Sequence, residues 1–306
     1  MKKFLLPFLL LAILITTACH GGANDNESIY SFTDSLNREV QLYTYEKTAV
    51  ISGGLAEIWQ SAGGKLYGIT NDAYSGHTLD IPENVKNYGD VKNPSVESMI
   101  SDGVDFVILS ASIANHLKLE NVLESAGITV AYFDVEDFED YLSMLKICTD
   151  ITGRGDLYTA KGEHIRERVE ASIARSQGKE QPSVLLLRAF STGIKAKAED
   201  NMTGKMLADL GCINIAESQS SLLEELSLES IILADPDFIF ITTMGDYDAA
   251  VAYYETELAT NPAWQELSAV KSGNVYVLPK DMFHYKPNAR WGEAYEYLED
   301  ILYDQE

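Results

Sequence analysis

Two glutamates occupy matching positions in a segment that occurs twice, and they suggest a pair of charged contacts. The copies are residues 95–109 and 227–241, and serine, glutamate, serine, isoleucine, aspartate and phenylalanine fall at equivalent places in both. Each copy predicts a short helix that opens at a serine N-cap, a turn and a buried strand. Helix capping alone explains an acid in the first turn, but it does not require glutamate twice. Glu97 and Glu229 therefore favour two exposed carboxylates that dock onto a partner with two basic sites.

A second group of side chains combines cations and aromatic rings in loops of an otherwise acidic chain. Such a mixture suits a large anionic ligand with apolar parts. For Arg290 and the nearby Lys286, an ordinary surface position is the alternative. The predicted ligand contacts are Gly54, Leu55, Tyr74, His77, Ser112, Arg188, Lys195, Lys197, Met244, Tyr247, Phe283, His284, Tyr285, Arg290 and Trp291.

His284 is the candidate metal ligand of this group. It lies between Met282 and Tyr285, and a histidine with a methionine or a tyrosine can supply axial ligands to haem iron. The prediction applies only if the ligand is haem, and a hydrogen-bonding role is the alternative. His77 and His116 lie in loops of the same kind. The sequence contains no nucleophile elbow, HExxH motif or paired nucleophile and base, so we predict no catalytic residue and no enzymatic activity.

The elements that must position these residues are strands that alternate with helices. This alternation predicts an α/β fold with mainly parallel sheets. The duplicated segment falls in both halves of the chain, which predicts two similar lobes, at 29–150 and 181–306, with a ligand cleft between them. Ligands of open α/β sheets bind at the carboxyl ends of the strands. A helical pattern without proline at 156–177 predicts one long connecting helix within 151–180.

The N-terminus predicts export from the cytoplasm. Two lysines precede the apolar run 4–15, and Thr-Thr-Ala-Cys19 follows it. This order is typical of a signal peptide at 1–18, and it resembles a lipoprotein signal in which Cys19 carries the lipid and 19–28 form a tether. An ordinary signal peptide cut near Ala18 is the alternative. The net charge of −24 argues against nucleic-acid binding, which depends on lysine and arginine.

The duplicated Ser-x-Glu segment with its Asp-Phe strand, together with the single long connector, resembles one family. It is similar to the substrate-binding proteins of ABC importers that take up ferric siderophores, haem and vitamin B12, of the class with a helical backbone, and the likeness covers residues 40–306. The resemblance implies that Glu97 and Glu229 meet arginines on a permease dimer that works with ATPase subunits. It implies a lipid-anchored carrier outside the cell membrane, without an intrinsic cofactor, and we expect a monomer. The implied ligand is a ferric siderophore, with haem or cobalamin as alternatives. A sensory or enzymatic domain on the same scaffold is the remaining possibility.

Overall fold

The computed structural model describes residues 27–219 and 221–303. The predicted signal peptide and Cys19 therefore lie outside the described residues, as does most of the predicted tether. Within the described ranges, every helix falls short of the length and hydropathy that a membrane crossing requires.

The N-terminal lobe contains one parallel sheet and two short hairpins. Its strands are β1 (Tyr30–Thr33), β2 (Glu39–Leu42), β3 (Thr48–Val50), β4 (Gly68–Ile69), β5 (Lys86–Asn87), β6 (Gly89–Asp90), β7 (Asn93–Pro94), β8 (Phe106–Ser110) and β9 (Thr129–Phe133). The sheet has the order β5-β4-β3-β8-β9, and all its pairs are parallel. The helices are α1 (Gly53–Ser61), α2 (Val96–Asp102), α3 (Glu120–Ser125) and α4 (Phe138–Thr152).

The C-terminal lobe repeats this plan around a second sheet. Its strands are β10 (Ser183–Phe190), β11 (Gly193–Lys197), β12 (Ile213–Asn214), β13 (Phe238–Thr243) and β14 (Val275–Val277). The order is β11-β10-β13-β14, with β12 also paired to β10, and only the β10–β11 hairpin is antiparallel. Its helices are α7 (Met202–Asp209), α8 (Ile215–Ser218), α9 (Ser221–Glu224), α10 (Leu228–Ala234), α11 (Tyr247–Tyr254), α12 (Pro262–Gln265), α13 (Ser268–Ser272), α14 (Lys280–Phe283) and α15 (Trp291–Tyr303).

A helical connector joins the lobes, as the uninterrupted pattern predicts. It consists of α5 (Gly155–Tyr158), a π-helical turn (Thr159–Glu163) and α6 (His164–Ser176). It is separate from α4 because Gly153 ends that helix in the left-handed region, with φ +69°, a conformation that glycine adopts readily. Bidentate contacts from Arg168 to Glu296 fasten α6 to α15. One apolar core then runs from the first sheet through α4, α6 and α15 to the second sheet, so the lobes share packed interior.

The duplicated segment folds in the same way in both lobes, which confirms the predicted helix, turn and strand. The serine that precedes α2 accepts a hydrogen bond from the backbone N–H of Ser98, and the serine that precedes α10 accepts one from Ser230, both at 3.3 Å. Both helices end at a left-handed residue, Gly103 and Asp235. The strands that follow, β8 and β13, are buried along their whole length. Each lobe therefore presents one short capped helix whose glutamate faces solvent.

Candidate ligand-binding site

A cavity of about 560 Å³ lies between the lobes, beside the carboxyl ends of β8, β10 and β13. Both lobes contribute to it, as the position of the predicted cleft requires. Its lining residues are Ser112, Glu136, Arg188, Asp200, Asn201, Met202, Lys205, Met244, Phe283, His284 and Lys286. The predicted contacts Ser112, Arg188, Met244, Phe283 and His284 are therefore brought together here.

Arg188 is the most unusual member of the lining. It lies on β10, opposite Lys195 of β11 and next to Thr242 of β13. Its Nε atom is buried without a hydrogen-bond partner, and none of the ion pairs in the described part of the chain includes it. Burial lowers the pKa of Arg188, and Asp200 only partly offsets this effect. A desolvated cation without a partner costs free energy, so the position is suited to an anion that supplies the missing contact.

Lys286 brings a second cation to the same cavity, and this residue is half-buried. Burial lowers its pKa, opposed by the carboxylates of Asp134 and Glu136, and it makes no ion pair with the described acids. Its side chain packs against Gly54, where an added Cβ would lie 3.6 Å from Lys286 Cγ. The other cavity cation, Lys205, is bound to Asp137 at 3.0 Å. Arg188 and Lys286 are thus the cavity cations that remain available to a ligand.

His284 lines the same cavity as a neutral imidazole. Burial lowers its pKa to about 4, with further contributions from Arg188, Lys280 and Lys286. Its ring packs on Tyr285 with the centroids 5.1 Å apart. A neutral imidazole offers one donor and one acceptor, and it can also ligate a metal. Among the described residues, no group of three or more His, Cys, Asp or Glu side chains could hold a metal ion.

The lowered pKa of His284 predicts a pH-dependent stability. From its ordinary value of 6.5 down to about 4, the unfolded chain binds a proton that the folded chain does not. Stability therefore falls as the pH falls through this window. We expect wild type to lose more stability than His284→Gln when urea unfolding is compared at about pH 7 and about pH 5. Equal losses in the two proteins would contradict the assignment.

Two histidines of the predicted cleft loops, His77 and His116, lie outside the cavity lining and make structural contacts. His77 is 5% exposed and fills the space beside Gly53, whose added Cβ would come 2.5 Å from the ring. His116 is fully buried. Its Nδ1 accepts a hydrogen bond from Ser110 N–H at 3.0 Å, which makes Nε2 the donor to the Val91 carbonyl at 2.6 Å. Both of its ring nitrogens are engaged, so neither is available to a metal.

Other predicted contacts also lie outside the cavity lining. Trp291 is 1% exposed and packs on Phe138 in the core, because it belongs to the buried face of α15. Arg290 is held by Glu293 and Asp281. The burial of Trp291 corrects its predicted ligand contact, whereas Arg290 lies outside the cavity lining and its predicted contact stays a prediction. The remaining predicted residues outside the lining are Gly54 and Leu55, which are buried, Tyr74, Lys195 and Tyr247, which are exposed, Lys197, which is paired with Asp200, and Tyr285, which packs on His77.

Sequence reasoning missed the contribution of the loop after β9 and of the start of α7. Glu136 follows β9, and Asn201, Met202 and Lys205 follow the loop at the end of β11. Both places lie next to strand ends. Ligands of open α/β sheets bind at the carboxyl ends of the strands, and the same rule applied to β9 would have indicated Glu136.

A short segment of the C-terminal lobe reaches across to the N-terminal lobe beneath the cavity. Asn288 is fully buried and adopts a left-handed φ of +51°. Its Nδ2 donates to Glu57 Oε2 at 2.9 Å and to the Gly54 carbonyl at 3.2 Å. The link from Lys286 to Asn288 thus supplements the helical connector, and it places Lys286 at the boundary between the lobes.

Two α/β lobes, one helical connector and a cation-lined cavity at the strand ends define a solute-binding protein. The chain belongs to the periplasmic binding protein family, whose model matches residues 49–282. It is therefore a substrate-binding protein of the ABC importer class.

Curated relatives of this chain come from Bacillus subtilis. The putative ABC transporter substrate-binding lipoprotein YhfQ is 26% identical, with 90% of each chain covered. The iron-uptake system-binding protein is 24% identical, with 96% of this chain and 95% of the relative covered. The Fe(3+)-citrate-binding protein YfmC is 22% identical, with 90% of this chain and 89% of the relative covered.

Solved structures share the fold. An ABC transporter substrate-binding protein from Listeria monocytogenes has a TM-score of 0.70 at 21% identity, and the match covers 86% of this chain and all of that one. Staphylococcus aureus SirA, complexed with staphyloferrin B, has a TM-score of 0.66 at 18% identity, with 90% and 97% covered.

Proposed function

We propose that the chain is an extracytoplasmic lipoprotein that captures an anionic ferric chelate, a siderophore, and delivers it to an ABC permease. The observation that carries the ligand class is Arg188 in the cavity lining, a half-buried cation whose Nε is buried without a hydrogen-bond partner. With Lys286 it forms a preformed cationic region that the carboxylate or catecholate oxygens of a ferric chelate would satisfy. The names of the iron-uptake and Fe(3+)-citrate relatives support an iron cargo. Attachment through Cys19 follows from the sequence pattern alone.

Delivery would use the two glutamates of the duplicated segment. Glu97 and Glu229 are exposed, and neither forms an ion pair with the residues that the structure describes. They occupy the first turns of capped helices at equivalent places in two similar lobes. This arrangement supports docking onto the two subunits of a permease dimer through basic side chains. Binding and release involve no covalent step.

A haem carrier is the second candidate, because His284 is neutral and lines the cavity. A neutral imidazole is the form that ligates iron. In that case the cations of the cavity would bind the haem propionates.

The test is a titration of the purified chain by calorimetry and absorbance. The probes are Fe(III)-citrate, a ferric tris-catecholate, haem, cyanocobalamin and iron-free citrate. We expect a ferric chelate to bind with a Kd on the order of 1 µM or tighter, well below that of iron-free citrate. A Soret shift on haem addition that is lost in His284→Ala would establish the haem carrier instead. Failure of both ferric chelates and haem to bind would reject the proposal.

A further inference from the structure

Each glutamate of the duplicated segment shares a helix face with exposed apolar side chains. Ile100 follows Glu97 by three residues on α2, and Ile232 and Leu233 follow Glu229 by three and four on α10. Residues at these spacings lie on one face of a helix. Ile100 is 39% exposed, Ile232 40% and Leu233 84%. We name Glu97 with Ile100 the N-terminal patch, and Glu229 with Ile232 and Leu233 the C-terminal patch.

The exposed apolar residues of the two patches differ from ordinary exposed side chains, because an isoleucine recurs at the same place in both copies of the duplicated segment. A single exposed isoleucine is common on protein surfaces. Ile100 and Ile232, however, fall at the same place in the two copies, and their exposures are almost equal. The residues that hold the two helices on their sheets are their neighbours Met99 and Ile231, which are fully buried. The exposed isoleucines are therefore not needed to pack α2 and α10.

The amino ends of α2 and α10, which carry Glu97 and Glu229, lie towards the edge of the sheets where the cavity opens, and Leu233 lies one turn further along α10. The amino end of α2 is fixed at the carboxyl end of β8, because His116 links Ser110 of that strand to Val91 ahead of the helix. In the second copy, α10 leads into β13 through a turn of the same length. A partner that receives the ligand from the cavity would therefore meet both patches.

We propose that Ile100, Ile232 and Leu233 make apolar contacts with the permease beside the ion pairs of Glu97 and Glu229. The partner surface that fits is a basic side chain next to an apolar area, once for each lobe. Apolar neighbours exclude water from an interfacial ion pair and so strengthen it. The inference rests on the proposed function, since its occupant is the permease of that proposal.

The two patches are unequal, and this makes the proposal more specific. The residue equivalent to Leu233 in the first copy is Ser101. Because the apolar contribution to binding grows with the area removed from water, the C-terminal patch should contribute more than the N-terminal patch.

The test is photocrosslinking of the full-length chain in living cells. A benzoylphenylalanine is placed at position 100, 232 or 233, and matched controls carry it at Tyr43 and Ile213, which are 44% and 52% exposed and lie near the opposite edge of the sheets. We expect positions 232 and 233, and more weakly 100, to crosslink to a protein that mass spectrometry identifies as the membrane-spanning subunit of an ABC importer. The controls should not do so.

Binding of variants to the purified permease then measures how much the apolar contacts contribute to docking. Leu233→Ser should weaken binding of the full-length chain to the detergent-solubilised permease on the order of tenfold. Ile100→Ser should weaken it less, and Ile213→Ser, at the opposite edge of the C-terminal sheet, should leave it unchanged.

The inference would be overturned if crosslinking at both patches were no stronger than at the control positions, or if the crosslinked partner were a second copy of this chain. If uptake still required Glu97 and Glu229 in that case, the proposed docking would stand without its apolar component. If the glutamates were dispensable as well, the docking part of the proposed function would fail.

Discussion

Arg188→Met should lower the affinity for a ferric chelate by about 30- to 4,000-fold, because removing one partner of a buried charge contact costs about 2–5 kcal/mol. Methionine keeps much of the side-chain volume and removes the charge. The chelate then faces the cavity without its main counter-charge. Calorimetric titration of the variant with the chelate that wild type binds measures the loss directly.

The same substitution should not destabilise the protein without ligand. Arg188 Nε is buried without a partner, so the apo protein bears the cost of a desolvated charge. Arg188→Met relieves this cost, and we expect its midpoint of urea unfolding to equal or exceed that of wild type. Lost affinity together with retained stability separates a direct ligand contact from a folding defect.

Lys195→Met is the matched control for Arg188→Met. Lys195 is directly opposite Arg188 in the β10–β11 ladder, but it is exposed and lies outside the cavity lining. Salt screens the charge of an exposed side chain that does not contact the ligand. Lys195→Met should therefore change the affinity for the chelate by less than about threefold. Similar losses of affinity in the two variants would show that binding depends on the total charge of β10 and β11 and not on a direct contact with Arg188.

The combined substitution Glu97→Ala with Glu229→Ala should abolish uptake and leave ligand binding unchanged. The glutamates lie on exposed helices outside the cavity lining, so the calorimetric Kd should stay within about twofold of wild type. Docking loses both of its charged contacts, and iron uptake by cells that carry only the variant should fall to the level of cells without the protein. Uptake of radioactive iron, presented as the bound chelate, measures this effect.

Glu83→Ala with Glu257→Ala provides the control pair. Both glutamates are exposed, one in each lobe, and neither is part of the duplicated segment. This variant has the same change in net charge, so it should transport at the wild-type rate. Equal impairment of both pairs would attribute the effect to overall charge, and a large loss of ligand affinity in the first pair would contradict its docking role.

The architecture could be predicted from the sequence because its signals are local. The duplicated segment carries its own caps, and the structure confirms Ser95 and Ser227 as the N-cap residues of α2 and α10. The apolar periodicity of the connector predicts α6 well. The Gly153 stop that separates it from α4 is also visible in the sequence, because Gly often ends a helix.

The cavity lining was only partly predictable, since it depends on which loop side chains point inwards after the lobes pack. Strand ends indicated Arg188 and His284, but Lys205 enters from the first turns of α7. Trp291 was predictable as core from its spacing with Tyr295, Leu298 and Leu302, which all lie on the buried face of α15. No local pattern indicates the burial of His116, which depends on its contact with Val91 across the lobe.

The proposed function requires a ferric chelate to bind between the lobes, against Arg188 and Lys286. The most direct measurement is an iron anomalous difference map from crystals of the full chain grown with the ferric chelate that binds most tightly in the titration. We expect one strong peak inside the cavity, with chelate oxygens contacting Arg188 and Lys286. An iron peak confined to another surface, or a chelate that occupies the cavity without contacting Arg188, would contradict it.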